Sequence, residues 1–164
     1  VHYPRLFAAD AAWAKSAAAL SAKTHALTAC LTDVMKAAPV ARCTLRAAYH
    51  DSCSGLRELG VRAQPRKLLN EAGAADIAEL ADPDACCGFG GLFAVKYPEI
   101  SERIALDKIA AVEATGADTL LGGDLGCLMH IAGCLKRKGS PIKVRHVAEV
   151  LAGMDDGAPI GERT

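Results

Sequence analysis

The sequence has no excess of either charge and no long apolar run, and these absences argue against two classes of protein. Its 19 Lys and Arg residues balance 19 Asp and Glu residues, so no overall field attracts nucleic acid or an anionic membrane surface. Charged residues interrupt the apolar runs well short of the roughly 18 residues that a spanning helix needs. No basic start followed by an apolar stretch marks a signal peptide. We therefore expect a cytoplasmic protein with no membrane span and no nucleic-acid partner.

The sequence also lacks Cys-x-x-Cys, the usual spacing of structural zinc ligands and of thiol–disulfide enzymes. It nevertheless has seven cysteines in 164 residues. Because the number is odd and nothing suggests secretion, reduced thiols that bind a metal are favoured over a disulfide framework.

The length and the 51% hydrophobic content are sufficient for one well-cored domain. The opening Val-His-Tyr-Pro is typical of the interior of a protein, so we expect a fragment that lacks an N-terminal part. Residues 1–40 are predicted to form a helical extension and residues 41–164 the domain.

The extension is predicted to be one long helix from Asp10, as N-cap, to about residue 36. Its apolar stripe recurs every seven residues at Trp13, Leu20, Leu27 and Val34. The stripe predicts packing against the domain or the missing part, and a coiled-coil dimer is the alternative.

Beyond residue 40, strands and helices alternate. Strands are predicted over residues 43–50, 75–80, 118–122 and 142–145, and helices over residues 65–72, 98–116, 125–138 and 146–151. The helix from residue 98 is predicted to bury Ile100, Ile104, Ile109 and Val112. This order indicates an α/β fold with a mostly parallel sheet of about four strands flanked by helices.

Unusual residues follow the end of each predicted strand. The carboxyl ends of parallel strands lie at one edge of the sheet, where ligands bind, so we expect these residues to meet there. They are His50 and Cys53 after the first strand, Cys86 and Cys87 after the second, Cys127 after the third, and His146 after the fourth.

Thiolates are the preferred ligands of zinc and of iron–sulfur clusters. Cys86 and Cys87 are adjacent, which is awkward for one zinc ion and for a mutual disulfide but suits two irons of a larger cluster. Backbone amides of Gly88 and Gly90 could then donate to cluster sulfides. An iron–sulfur cluster is therefore favoured, and zinc is the alternative.

The other cysteines and the histidines have competing interpretations. Cys30, Cys43 and Cys134 are expected to pack in the interior, as free cysteines often do. His130, one turn beyond Cys127, is either a further metal ligand or a residue of the helix surface. His50 and His146 are either donors to the ligands or caps.

Three segments together resemble the cysteine-rich CCG domain family, whose members include a component of the heterodisulfide reductases and the iron–sulfur component of glycolate oxidase. They are His-Asp-Ser-Cys at residues 50–53, Cys-Cys-Gly-Phe-Gly-Gly at 86–91 and Asp-Leu-Gly-Cys-Leu-Met at 124–129. Residues 93–100 and 138–142 are most similar to the lactate utilization A branch of the family.

The resemblance implies a Rossmann-like fold, the second of two tandem CCG domains, and a [4Fe–4S] cluster on Cys53, Cys86, Cys87 and Cys127. The family pattern ends in Cys-x-x-Cys, whereas His130 holds the last position here, which favours a four-cysteine cluster over a five-cysteine non-cubane one. The implied role is that of an electron-transfer subunit in a lactate- or glycolate-oxidising complex, with the substrate held by a different subunit. A zinc module for assembly and a thiol–disulfide redox protein remain alternatives.

Overall fold

The structure, a computed structural model, describes residues 2–39, 42–73 and 76–162. The strands are β1 Arg46–His50, β2 Asp76–Ala78, β3 Thr119–Gly122 and β4 Lys143–His146. The helices are α1 Tyr3–Leu6, α2 Ala14–Lys23, α3 Leu27–Ala29, α4 Cys53–Leu59, α5 Ala63–Glu71, α6 Leu92–Lys96, α7 Pro98–Ala114, α8 Leu125–Lys138 and α9 Val147–Leu151. A π-helical turn, Cys30–Val34, directly follows α3.

The four strands form one sheet in the order β2-β1-β3-β4, and every neighbouring pair is parallel. His50, Gly122 and His146 are in register at the carboxyl ends of β1, β3 and β4. The predicted α/β class with a four-stranded parallel sheet is confirmed. The carboxyl ends of β1, β3 and β4 lie side by side at one edge of the sheet, where the unusual residues were expected.

Each face of the sheet carries its own apolar layer. Because side chains alternate along a strand, Ala48, Leu120 and Val144 face α7 and α8, whereas Ala47 and Leu121 face α5 and α9. The sheet is thus covered on both sides, as a parallel sheet requires, and its carboxyl edge is where ligand-binding loops can gather.

Helix α8 has the bounds that its sequence predicts. The carboxylate of Asp124 accepts a hydrogen bond from the amide of Cys127 at 2.9 Å and so caps the first turn. Gly139 ends the helix in the left-handed conformation, with φ 72°. The cap at Asp124 fixes the position of Cys127 in the first turn, next to the sheet edge, and Gly139 fixes the other end of the helix.

The prediction of one long N-terminal helix is wrong. Helix α2 ends at Lys23, and Thr24 and Ala26 are extended before α3 begins. The hydroxyl of Thr24 donates to the carbonyl oxygen of Leu20 at 2.8 Å. This side-chain bond competes with the backbone ladder of the helix, so the chain turns there. Beyond the turn, α3 and the π-helical turn pack on α5.

The apolar stripe of this segment is not buried by the domain. Its four residues are between 49% and 60% exposed: Trp13, Leu20, Leu27 and Val34. The predicted boundary between residues 40 and 41 lies outside the described residues. Within the described ranges, no helix is long and apolar enough to span a lipid bilayer.

Several other elements differ from the predictions in extent. Strand β1 begins at Arg46, three residues later than predicted, and residue 75 of the second predicted strand lies outside the described part. Helices α4 and α6 were not predicted. Helix α4 forms because the hydroxyl of Ser52 caps it, accepting from the amide of Gly55 at 3.1 Å.

Helix α7 buries a different stripe from the predicted one. Ile100 is 55% exposed, whereas Ile109 and Val112 are buried as predicted. The rest of the buried stripe consists of Ser101, Ala105 and Lys108. A polar and a cationic side chain thus lie on the face that apolar periodicity alone assigns to isoleucines.

Candidate metal centre

Four cysteines lie at the carboxyl edge of the sheet, on three separate segments. Cys53 is the first residue of α4, and Cys127 lies in the first turn of α8. Cys86 and Cys87 lie in the loop between β2 and α6. Cys86 is exposed and Cys53 half-buried, while Cys87 and Cys127 are 2% and 9% exposed.

The four thiols interact in two pairs joined by the adjacent cysteines. Burial, and next the charge and hydrogen bonding of Cys86, raise the pKa of Cys53. The hydrogen bond from Cys127 lowers the pKa of Cys87, and the same contact raises that of Cys127. A thiolate at Cys87 beside a protonated Cys127 is therefore the favoured state of that pair.

His50 completes a buried group of potential ligands. One ligand atom each from His50, Cys87 and Cys127 lies within 4.8 Å of the others. His50 is 1% exposed, its ring nitrogens make no hydrogen bond to nitrogen or oxygen among the described residues, and its interaction with Cys87 helps to lower the pKa of that thiol. A buried imidazole needs a polar partner, and its position beside two thiols makes it available to a thiolate or to a metal ion held there.

The glycine-rich loop directs backbone amides at the cysteine sulfurs. The amide of Gly88 donates to Cys86 Sγ at 3.3 Å, and that of Phe89 donates to Cys87 Sγ at 3.5 Å. Gly88 has φ 86°, and a Cβ there would lie 2.4 Å from the carbonyl oxygen of Ser101. Both the left-handed conformation and the close backbone contact require glycine at this position.

Ser101 and His130 hold this loop against α7 and α8. The Ser101 hydroxyl donates to the carbonyl oxygen of Gly88 at 2.8 Å and lies 3.1 Å from His130 Nε2. Since that hydroxyl proton is used, Nε2 of His130 is the donor to Ser101. The His130 ring also packs near Phe89, with ring centroids 6.0 Å apart. His130 therefore supports the loop through Nε2, and it is outside the group formed by His50, Cys87 and Cys127.

A charged network fixes the chain immediately before Cys53. Asp51 is 3% exposed and accepts two hydrogen bonds from Arg66, at 2.9 Å and 2.7 Å. Arg66 also binds Glu79, beyond β2, and its guanidinium lies 5.1 Å from the ring centroid of Tyr49. One side chain of α5 thus joins the ends of β1 and β2, and this bidentate geometry restricts how Cys53 is presented.

The other predicted candidates have local roles. The His146 imidazole accepts from the amide of Ala148 at 3.1 Å and caps α9. Cys43 and Cys134 are buried and Cys30 is half-buried. Arg137 donates to Cys134 Sγ at 3.2 Å.

Sequence reasoning missed two residues that hold the site, Ser101 and Arg66, and the burial of Lys108 on α7. None belongs to a recognisable motif, and each is far from most of the cysteines in sequence. Ser101 and Lys108 left one signal, because they occupy positions on the buried stripe of α7 where apolar residues are expected.

The arrangement suits a soft, thiophilic metal. Four thiols and one buried imidazole are available, amides donate to two of the sulfurs, and burial restricts access of water to Cys87 and Cys127. Such donors match zinc or iron in a sulfur-rich environment and do not match Mg²⁺ or Ca²⁺, which prefer oxygen ligands.

The sequence profile of the cysteine-rich domain family named CCG matches residues 47–132, which include all four cysteines. The chain belongs to the CCG cysteine-rich domain family. The resemblance drawn from the three motifs is confirmed, and the matched region runs from β1 into α8, so the family pattern coincides with the part of the fold that builds the site.

Curated relatives with substantial identity are named lactate utilization protein A. That of Geobacillus sp. (strain WCH70) is 48% identical over 150 residues, which are 91% of this chain and 63% of the relative. That of Bacillus subtilis (strain 168) is 45% identical over 150 residues, with the same coverage. That of Shouchella clausii (strain KSM-K16) is 45% identical over 152 residues, 92% of this chain and 64% of the relative. The chain spans just under two thirds of the length of these relatives.

Proposed function

We propose that this CCG domain binds a [4Fe–4S] cluster through Cys53, Cys86, Cys87 and Cys127 and transfers electrons in the oxidation of lactate or a related 2-hydroxy acid. The observation that carries the proposal is the meeting of four thiols from three segments at one sheet edge, beside a buried imidazole. The names of the curated relatives support the link to lactate.

When bound, the cluster would supply a one-electron carrier. The protein's own residues determine its surroundings. The amides of Gly88 and Phe89 donate to ligand sulfurs, which stabilises negative charge and raises a reduction potential. Ser101 and His130 hold that loop, and the Asp51–Arg66 pair holds the segment before Cys53.

The proposal includes partners and a location. On this proposal the thiols at the sheet edge hold the cluster, so the substrate-oxidising centre would belong to a different subunit. A further CCG domain of the same protein and the other subunits of a lactate- or glycolate-oxidising complex are the proposed partners, in the cytoplasm. On this proposal residues 1–40 are an extension and residues 41–164 the CCG domain.

The test is anaerobic reconstitution of the full-length protein with iron and sulfide. We expect about four irons and four sulfides for each cluster, a broad visible absorption band, and an electron paramagnetic resonance signal on reduction. Serine substitutions at Cys53, Cys86, Cys87 and Cys127 should each lower the iron content, whereas Cys30→Ser should leave it unchanged. Protein that takes up no iron and shows no visible band would contradict the proposal.

Zinc is the second candidate, because one imidazole and two thiols of the buried group form a donor set that tetrahedral zinc accepts. In that case the protein would be a structural module for assembly. One zinc per chain, unfolding on chelation and no redox signal would support it. The His50→Ala variant separates the two candidates, since zinc content should fall if His50 is a ligand, whereas a four-cysteine cluster should keep its iron.

A thiol–disulfide activity is the remaining alternative. Its support is the lowered pKa of Cys87, caused first by the hydrogen bond from Cys127, because a thiolate is the reactive form of cysteine. If Cys86→Ser kept the full metal content and abolished disulfide exchange, this activity would replace electron transfer.

A further inference from the structure

Lys108 is the largest fully buried side chain among the described residues, at 2% exposure. It lies on the inner face of α7, where its neighbours on the stripe are Ala105, Ile109 and Val112. Taking an ammonium group out of water costs several kcal/mol unless negative charge or hydrogen bonds compensate. A lysine at this place therefore requires a partner.

The described residues satisfy only part of the hydrogen-bonding capacity of the Lys108 ammonium group. Lys108 Nζ donates to the carbonyl oxygen of Asp82 at 3.0 Å, and this is its one hydrogen bond within the described ranges. An ammonium group has three N–H donors. Two donors of a buried cation thus remain without an acceptor among those residues.

Lys108 shares a cavity with one of the four cysteines. Lys108, Asp82 and Cys86 line one cavity of about 360 Å³. Burial lowers the pKa of Lys108, and four nearby groups oppose this effect. They are Asp82, Asp51 and the thiols of Cys53 and Cys87.

We propose that the Lys108 ammonium is the counter-charge of the metal–thiolate centre and donates its remaining hydrogen bonds to sulfur at that centre. This inference rests on the proposed function, since it assigns the cation to the anionic group that the four cysteines would hold. Lys108 is then a positioning residue with two effects: it ties the loop at Asp82, and its charge stabilises the more reduced, more negative state of the centre.

The two effects can be separated by substitution. Lys108→Met removes the charge and the tie to Asp82, Lys108→Gln removes the charge but keeps a hydrogen-bond donor, and Lys108→Arg keeps the charge. Lys143→Met is the matched control, because Lys143 is an exposed lysine at the amino end of β4, the opposite edge of the sheet. Circular dichroism of each variant shows which ones fold.

The measurement is the midpoint reduction potential of the reconstituted full-length protein, together with the rate of iron release to a chelator. We expect Lys108→Met and Lys108→Gln to move the potential to more negative values and to speed iron release about tenfold, as loss of a buried counter-charge predicts. Lys108→Arg and Lys143→Met should stay close to the unsubstituted protein. A folded Lys108→Gln variant with an unchanged potential would overturn the inference.

Titration of the apo-protein with Co²⁺ distinguishes failure of this inference from failure of the proposed function. Co²⁺ bound to thiolates has strong charge-transfer and d–d absorption, so its affinity can be measured without any cluster. If the unsubstituted protein takes up no iron but binds Co²⁺ about tenfold more tightly than Lys108→Gln does, the proposed cluster is wrong and the role of Lys108 stands. If iron is taken up and Lys108→Gln binds Co²⁺ as tightly as the unsubstituted protein, the role of Lys108 is wrong.

Discussion

The hydroxyl of Ser101 on α7 donates a 2.8 Å hydrogen bond to the carbonyl oxygen of Gly88, in the loop that carries Cys86 and Cys87. The same hydroxyl oxygen lies 3.1 Å from His130 Nε2 on α8. One buried hydroxyl thus links the cysteine loop to the two helices that cover this face of the sheet. The relationship makes the geometry of the loop dependent on residues far away in sequence.

The first prediction concerns this link. Ser101→Ala leaves the carbonyl of Gly88 and Nε2 of His130 without their partner in a buried site. We expect the free energy of unfolding to fall by about 1–3 kcal/mol, the usual penalty for a buried polar group that loses its hydrogen bond. Chemical denaturation of the full-length protein measures it. Ser16→Ala, an exposed position on α2, is the control, and an equal effect of both substitutions would refute the proposed role.

The second prediction concerns Gly88. Gly88→Ala would place a Cβ 2.4 Å from a backbone oxygen at a residue with φ 86°, so the loop must move. We expect a loss of about 2 kcal/mol or more in stability together with a lower iron content after reconstitution.

Gly139→Ala is its matched control. Gly139 also has a positive φ, 72°, but a Cβ there meets nothing within 4 Å, so this substitution carries the conformational cost alone, about 1 kcal/mol. Its iron content should be unchanged. If Gly88→Ala retained full iron content, the steric argument for the loop would be wrong.

The third prediction concerns the ion pair of Arg66 and Asp51. Arg66→Met keeps the apolar stem but leaves the buried Asp51 carboxylate unpaired, and we expect a loss of about 3–5 kcal/mol. Urea unfolding monitored by circular dichroism measures it. Arg103→Met breaks an exposed pair with Asp107 on α7 and should cost less than about 0.5 kcal/mol. Similar losses in the two variants would show that the buried pair of Arg66 and Asp51 contributes no more to the free energy of unfolding than an exposed pair does.

The fourth prediction concerns removal of the metal. A ligand that binds only the folded protein stabilises it by mass action, by about 4 kcal/mol at a thousandfold excess over the Kd. Anaerobic chelation should therefore lower the Tm of the reconstituted full-length protein. The Cys87→Ser variant, which lacks a proposed ligand, should melt at the lower temperature with or without chelator. A Tm of unsubstituted protein that does not respond to chelation would argue against a metal at this edge.

Local signals in the sequence predicted the parts of the fold that depend on neighbouring residues. Asp124 and Gly139 bound α8 as expected because a cap and a left-handed stop act within one helical turn. The meeting of strand ends followed from the alternation of strands and helices, since parallel strands share a carboxyl edge. The prediction of one long N-terminal helix failed because the spacing of apolar residues gives no sign of the hydrogen bond from the Thr24 hydroxyl to the carbonyl oxygen of Leu20.

The roles of single side chains could not be predicted in the same way. His130 has ligand-compatible spacing from Cys127, yet its Nε2 contacts Ser101 on another helix. Lysine is usually exposed in folded proteins, yet the packing of α7 buries Lys108. Such contacts depend on how α7, α8 and the loop after β2 are placed relative to one another. No short stretch of the sequence predicts that placement.

The sequence by itself determined the α/β class and the family, and it indicated which four cysteines come together at the carboxyl edge of the sheet. It could do so because strand order, helix caps and motif spacing can be recognised in short stretches of consecutive residues. Only the tertiary structure decided that His50 lies beside Cys87 and Cys127, that Arg66 holds Asp51, that Ser101 and His130 hold the loop, and that Lys108 is buried. The physical reason is that burial and hydrogen bonding between distant segments arise from packing, and packing is a property of the whole chain.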